Sequence, residues 1–316
     1  MTTPGDATKP DPHGPFWRDP LPALFVVLWS TGFIGSKLGA PYSEPFTFLS
    51  IRFALAALLM AGIGLAFRVE WPNTLRRIFH AIVVGILIHG TYLGGVFWAI
   101  DNGLPAGVSA LIVSLQPLVT SIAARPMLGE KASLRQWSGL ILGFLGVALV
   151  VEQKLNFSTG IGLGDELGDK LGDGAGLIAC FIGMLAISAG SLYQKRFCAG
   201  ESLRGHQAIQ LTAAATLMGI LSFSLESREL IWSAEFVVAM AWLVCVMSVG
   251  TFTLLYVLIR RGAASQVASL FYLVPPVTAI MAYFLFDETL GPLALAGMGI
   301  TVVGVALATR QTRQPN

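Results

Sequence analysis

Long apolar runs separated by short polar breaks dominate the chain. They fall at about 22–40, 46–67, 79–100, 104–124, 134–152, 174–194, 207–225, 235–258, 263–286 and 291–309. A helix needs about 20 residues to cross the hydrocarbon of a bilayer. Only a helix can satisfy its own backbone there, because an open strand leaves polar groups bare in lipid. The runs therefore predict an all-α membrane protein with ten transmembrane helices. The breaks Asp101-Asn102-Gly103 and Arg260-Arg261-Gly262 are short enough to make tight antiparallel hairpins.

Composition agrees with that class. Of 316 residues, 54% are hydrophobic and 12% charged, and the mean hydropathy is +0.71. Soluble domains carry about 25% charged residues, so an ordinary soluble fold is excluded. Cys180, Cys198 and Cys245 lie in or near apolar runs with no metal-ligand spacing, which argues against a disulfide framework. The opening MTTPGDATKPDPHGP is polar, proline-rich and without a basic start, so residues 1–20 are expected to be a disordered tail and not a signal peptide.

Charge predicts orientation. With the N-terminus in the cytoplasm, the outer loops hold only Lys154, Lys170 and Arg228. The inner segments hold Lys9, Arg18, Arg68, Arg76, Arg77, Arg125, Lys131, Arg135, Lys195, Arg196, Arg204, Arg260, Arg261, Arg310 and Arg313. That is the bias expected of cytoplasmic loops, and it puts both termini inside. The chain is thus expected in a plasma membrane, as a multi-pass protein of a bacterial inner membrane. The segment LGDELGDKLGDG within 153–173 repeats an aspartate every four residues, at Asp165, Asp169 and Asp173. The spacing is not that of an EF-hand, and a solvated Gly/Asp-rich linker is expected.

The second half repeats the first. At an offset of 158, Glu130 meets Glu288, Lys37 meets Lys195, Ser30 meets Ser188, and Gly139 and Gly146 meet Gly297 and Gly304. With a one-residue slip, Gly103 meets Gly262 and Pro117 meets Pro276. Five runs per half is an odd number, so the second copy enters the membrane upside down. Inverted repeats that meet at the midplane are a mark of secondary transporters. The predicted repeats are 21–152 and 174–309, joined by 153–173, with a tail at 310–316.

Several stretches carry a resemblance. The first half has Trp29-Ser30-Thr31-Gly32-Phe33, Arg52, GLPAGVSALIVSLQPLVTSIAA, Gly129-Glu130-Lys131 and a glycine-rich fifth run. The second half echoes it with GAASQVASLFYLVPPVTAIMAYFLFDE. The order of these motifs in both halves resembles the EamA family of the drug/metabolite transporter superfamily. The resemblance implies a ten-span exporter of small metabolites with a central cavity, and it names no substrate.

The candidate residues follow from polarity in the wrong place. Pro117 and Pro276 interrupt apolar runs and predict a shared kink, either a static packing bend or a hinge. Gln116 is polar and intramembrane. Glu130 and Glu288 sit just past their runs, as helix caps or as gate ion pairs. Arg52 is an intramembrane cation, read as a carboxylate contact, as a snorkelling side chain, or as a partner of Glu44 or Asp101. His89 is a possible proton carrier or a satisfied interior histidine. Trp29, Ser30, Phe33, Tyr92, Trp98, Ser109, Tyr193, Tyr256, Ser269 and Tyr272 are cavity candidates, since small-ligand pockets are mostly apolar with a few placed polar groups. Each of them is also a plain packing residue. Gly139, Gly143 and Gly146 predict close helix packing.

No carboxylate lies deep in any run, so an ion-driven carrier would have to use His89 or the boundary acids. No catalytic motif, metal set or cofactor motif is found. The expected function is a secondary transporter exporting small metabolites or amino acids. A structural or sensory membrane protein is the alternative, and an intramembrane enzyme the least favoured. The expected partners are a small-molecule substrate and the lipid bilayer, with no nucleic acid, in a monomer or homodimer.

Overall fold

The computed structural model describes residues 20–102, 104, 109, 112–130, 132–155, 174–200, 202–262, 264–286 and 291–309. Nearly all of them are helical. The helices are α1 (Leu21–Gly39), α2 (Pro45–Ala66), α3 (Leu75–Asp101), α4 (Gln116–Leu128) and α5 (Leu134–Leu155). They continue with α6 (Ala175–Phe197), α7 (Leu203–Leu225), α8 (Ala234–Arg261), α9 (Ala264–Leu285) and α10 (Pro292–Thr309). Among the described residues, 7 helices are long and apolar enough to cross a membrane. Leu21–Ser36 and Leu134–Val150 are shorter apolar helices. No strand occurs among the described residues beyond one isolated bridge, Ser43 to Leu230. The chain is a multi-pass integral membrane protein. The expected tails, most of the 153–173 linker with its aspartates, and Glu288 lie outside the described residues.

Local chemistry sets the helix ends. Thr74 and Ser233 accept hydrogen bonds from the amides of Arg77 and Phe236 and so start α3 and α8. Ser133 and Gln136 exchange bonds at the start of α5, a capping box. Pro45 occupies the first turn of α2, where its missing N–H costs nothing. Gly129, at φ 72°, ends α4 in a conformation that a side chain disfavours.

Two helices expected to be plain, α3 and α8, are irregular, and α9 is broken near its prolines, where a kink is expected. Within α3, residues Gly85–Thr91 widen into a π-helical turn, and within α8, Leu243–Thr251 do the same. The two segments begin 158 residues apart, at 85 and 243. In α9, Leu270–Leu273 tighten into a 3₁₀ turn before the helix resumes at Val274. The prolines explain this. Pro275 and Pro276 lack the amides that the carbonyls of Phe271 and Tyr272 would receive. The Val274 amide turns back to the Phe271 carbonyl instead.

α4 is entered the same way. The Leu115 amide bonds to Ile112 at 3.0 Å, and helix resumes at Gln116. The two restarts, at 116 and 274, are again 158 apart. This corrects the slipped pairing: Pro117 corresponds to Pro275, and Pro276 is the extra proline.

Packing exchanges the halves. α2 lies along α7, and α5 along α10. α3 packs on α6 as α1 packs on α8, and α4 packs on α6 as α1 packs on α9. The α5–α10 contact is backbone on backbone. A Cβ on Gly146 would stand 2.7 Å from the Gly297 carbonyl oxygen, and one on Gly304 2.7 Å from the Cα of Gly143. Small residues permit such approach where no hydrophobic force exists between helices in lipid.

The loops collect at two ends. At one, Glu226 accepts from the amides of Phe46 and Thr47 at 2.6 and 2.7 Å and so caps α2. Glu44 reaches back to the amides of Ser227, Arg228 and Glu229. Desolvation pushes the Glu44 carboxyl up, but its hydrogen bonds to Ser227, Glu229 and Arg228 together outweigh this and hold its pKa below the ordinary 4.5. At the other end, Arg196 donates to the Met127 carbonyl, Arg260 to that of Cys198, and Arg204 lies over Phe67.

Candidate functional site

The interior between α2, α3 and α8 holds a charge. Arg52 is 2% exposed, and its Nε donates to Ser248 Oγ at 3.0 Å. Its guanidinium stands 5.6 Å from the centroid of the Phe53 ring. Ser248 belongs to the π turn of α8. The expected pairing of Arg52 with Glu44 or Asp101 is not found among the described contacts. Glu44 is occupied by the Ser227–Glu229 turn, and Arg52 points to the neutral serine hydroxyl instead. Nor does Arg52 snorkel, being covered on all sides by helix.

His89 comes from the other π turn. It is fully buried, with Nε2 3.0 Å from the Tyr256 hydroxyl of α8. Its ring lies 4.2 Å from Phe252 and 5.7 Å from Phe53. Arg52 is within electrostatic reach of both His89 and Tyr92. Both π turns thus deliver a polar side chain to the neighbourhood of Arg52, the kind of use to which π-bulges are often put. Gly85 opens the α3 turn to α7: a Cβ there would stand 2.6 Å from the Cα of Gln210.

Aromatic rings wall this centre. Trp29 meets Phe252 at 4.9 Å and Phe271 at 4.8 Å, both edge-on. Ser30, beside it, donates to its own Val26 carbonyl and lies 3.3 Å from that of Val274, where α9 resumes. Beyond Phe271, buried Gln116 lines a cavity of about 10 Å³ with Ser191, Leu255, Ile259 and Val267. That is room for about one water. Among the described residues, Gln116 Oε1 has no hydrogen-bond partner.

The structure thus gathers Trp29, Ser30, Arg52, His89, Tyr92, Tyr256 and Gln116. It sets others apart. The Tyr193 hydroxyl pairs with His80 at 2.7 Å, nearer the Lys195 end. Trp98 is half-buried toward the opposite end of α3. Ser269 closes its own turn on the Gln266 carbonyl. Tyr272 lies over Gly143 in the α5–α10 layer. Ser109 is buried, its carbonyl accepting from Cys180 Sγ. The Phe33 side chain is outside the described residues.

Glu130 does not cap the helix that follows it. Ser133 and Gln136 already do that. Instead Glu130 Oε1 meets Lys195 Nζ at 2.6 Å, and Oε2 accepts from the amide of Ala264, at the start of α9. Lys195 also donates to the Gly262 carbonyl at 2.5 Å. One ion pair therefore ties α4, α6 and the α8–α9 turn.

The model of the EamA-like transporter family matches this chain twice, over residues 20–152 and 174–310. The chain belongs to the EamA family. As an EamA protein it is 27% identical to the uncharacterized transporter YvbV of Bacillus subtilis (strain 168), over 93% of this chain and 92% of YvbV. It is 25% identical to the uncharacterized inner membrane transporter YedA of Escherichia coli (strain K12), covering 91% of this chain and 88% of YedA. It is also 25% identical to the "Probable amino-acid metabolite efflux pump" of the same strain, covering 90% and 92%. A crystal structure of a protein 18% identical has the same fold, with a TM-score of 0.74 over 91% of this chain and 95% of the other.

Some residues around this centre were invisible in sequence. Ser248, Phe252 and Phe271 look like ordinary helix residues until the π and 3₁₀ turns place them. Gln194, Gln207 and Gln210 had a usable signal, the same intramembrane polarity that singled out Gln116. Gln207 Nε2 bonds to the Ser248 carbonyl at 2.7 Å and so supports the residue that meets Arg52. Gln210 bonds to Gln194 at 3.2 Å.

Proposed function

We propose that this chain is a secondary transporter that exports small metabolites or amino acids, by alternating access between two inverted five-helix repeats, 21–152 and 174–309. The observation that carries this is the repeated irregularity. A π turn in the third helix of each half and a proline-led restart in the fourth recur at the same 158-residue spacing. Broken helices at a repeat interface are where transporters of this kind bind substrate. The double match of the family model supports the same division.

In this reading the Lys195–Glu130 end is cytoplasmic, as the basic loops require, and both termini share that side. The YedA name supports an inner membrane, and the efflux-pump name supports amino-acid metabolites as cargo. The pathway runs past the Arg52 centre between the aromatic walls. The test is export. Cells overproducing the protein are grown against toxic amino-acid analogues, drugs and organic cations, and proteoliposomes are loaded with the compounds that cells resist. Resistance with outward movement of the same compound supports the reading. If no compound is expelled from cells or moved by proteoliposomes, the reading is wrong.

A further inference from the structure

Arg52 presents five N–H donors from a group that stays charged at any physiological pH. Among the described residues, one of those donors, Nε, has a hydrogen bond, and the acceptor is the neutral Ser248 hydroxyl. The centroid of the Phe53 ring stands 5.6 Å from the guanidinium, and His89 packs against Phe53 and Phe252 in turn. A cation buried among helices in lipid is costly unless an anion accompanies it. Glu44 is committed to the Ser227–Glu229 turn, and Glu226 to the start of α2. Glu130 is held by Lys195.

A second donor lies beside it. The two ring nitrogens of His89 have different neighbours: Nε2 meets the Tyr256 hydroxyl, and buried Nδ1 has no hydrogen-bond partner among the described residues. With the tyrosine donating, the imidazole carries its proton on Nδ1 and presents an N–H. The centre is then rich in donors and poor in acceptors, with aromatic rings on its flanks. That is the inverse of a cation site.

We infer that Arg52, with Ser248 and His89, is the recognition site for the carboxylate of the transported molecule, so that the cargo is a carboxylate-bearing metabolite and not an amine or a neutral drug. This rests on the transporter reading and deepens it. The guanidinium fork matches a carboxylate in two-point geometry, and the aromatic rings take the apolar body. Arg52 corresponds to Gln210 in the other half, so the charge serves one asymmetric ligand and not the shared fold.

The test uses the full-length protein in detergent, with thermal stabilisation as the readout. The probes are the twenty common amino acids, their amides, which keep the ammonium and lose the carboxylate, and the corresponding decarboxylated amines. The expected result is that some free acids bind, that their amides and amines bind about tenfold to a hundredfold more weakly, and that Arg52→Gln erases the difference. Arg52→Lys, which keeps the charge and loses the fork, is expected to retain part of it. Melting of the unliganded variants separates misfolding from lost recognition. Amides binding as well as acids, amines binding where acids do not, or Arg52→Gln binding acids like wild type would each overturn the inference. Everted-vesicle export judges the parent reading separately. Movement of an amine or neutral compound, unaffected by Arg52→Gln, leaves a transporter and removes the carboxylate site. Absence of both binding and export removes both.

Discussion

Lys195 Nζ lies 2.6 Å from Glu130 Oε1, and each partner spends a further hydrogen bond on the same turn, Gly262 to Ala264. The side chains are 21% and 22% exposed, so water weakens the pair without abolishing it. Removing either residue is expected to loosen that end of the molecule. A cysteine placed at Ser191, on the small cavity just inside, should react faster with a membrane-impermeant maleimide in everted vesicles of Lys195→Met than of wild type. The double-mutant cycle of Lys195→Met and Glu130→Gln should return a coupling of about 1 kcal/mol. Equal labelling rates, or additive effects, would show that the pair does not hold the end shut.

The α5–α10 contact makes a sharper stability prediction. Gly146→Leu must push its side chain into Thr301 and the Gly297 carbonyl, and backbone cannot yield as a flexible side chain can. A loss of about 1–3 kcal/mol is expected, as for other overpacked interiors, read as a lower unfolding temperature in detergent. Gly299, on the same α10, has nothing among the described residues within 4 Å of its would-be Cβ. Gly299→Ala should be neutral or slightly stabilising, because alanine is the better helix former. Similar behaviour of the two variants would contradict the packing shown.

Much of this architecture was readable before any coordinates. Apolar runs of spanning length locate α2, α6 and α10 within a few residues, because lipid tolerates little else. The offset that matched Gly146 with Gly304 anticipated helices meeting along glycine. Other features had no such signal. Gly85–Thr91 contains no proline, and its two glycines read as ordinary in a glycine-rich chain, yet it widens where Gly85 meets α7. Lys195 and Glu130 each matched a partner in the repeat, but that pairing across halves needs α4 packed on α6. The prolines misled by one residue, since Pro275 and Pro276 both satisfy a motif match and only the helix restart tells them apart.

Glu44 ties stability to pH. Its pKa is lower folded than the ordinary 4.5 of a free carboxyl, through hydrogen bonds that favour the ionised form. A depressed carboxyl contributes stability that is present above its unfolded value and is lost as pH falls through the folded one. Glu44→Gln should therefore melt below wild type at neutral pH, and the two curves should converge as the sample is acidified past 4.5. A gap that stays constant down to the lowest pH at which the protein folds would assign the effect to shape and not to charge.

The two prolines of α9 separate hinge from filler. Pro275 corresponds to Pro117 by the position of the helix restart, whereas Pro276 faces Leu118 in the other half. Replacing Pro275 by alanine restores the α-helical amide for the Phe271 carbonyl, which now accepts from the Val274 amide, and lets the 3₁₀ turn relax toward α-helix while Pro276 still leaves the Tyr272 carbonyl without its own. If the break lets the half-helix swing during transport, Pro275→Ala should leave the unfolding temperature unchanged or raised while export slows severalfold. Pro276→Ala should change export much less, since the break at Pro275 persists. Export is measured with one substrate in proteoliposomes of matched protein content, alongside melting of each variant. Equal slowing by both substitutions would show that the prolines act through packing, and that the break is a fixed bend.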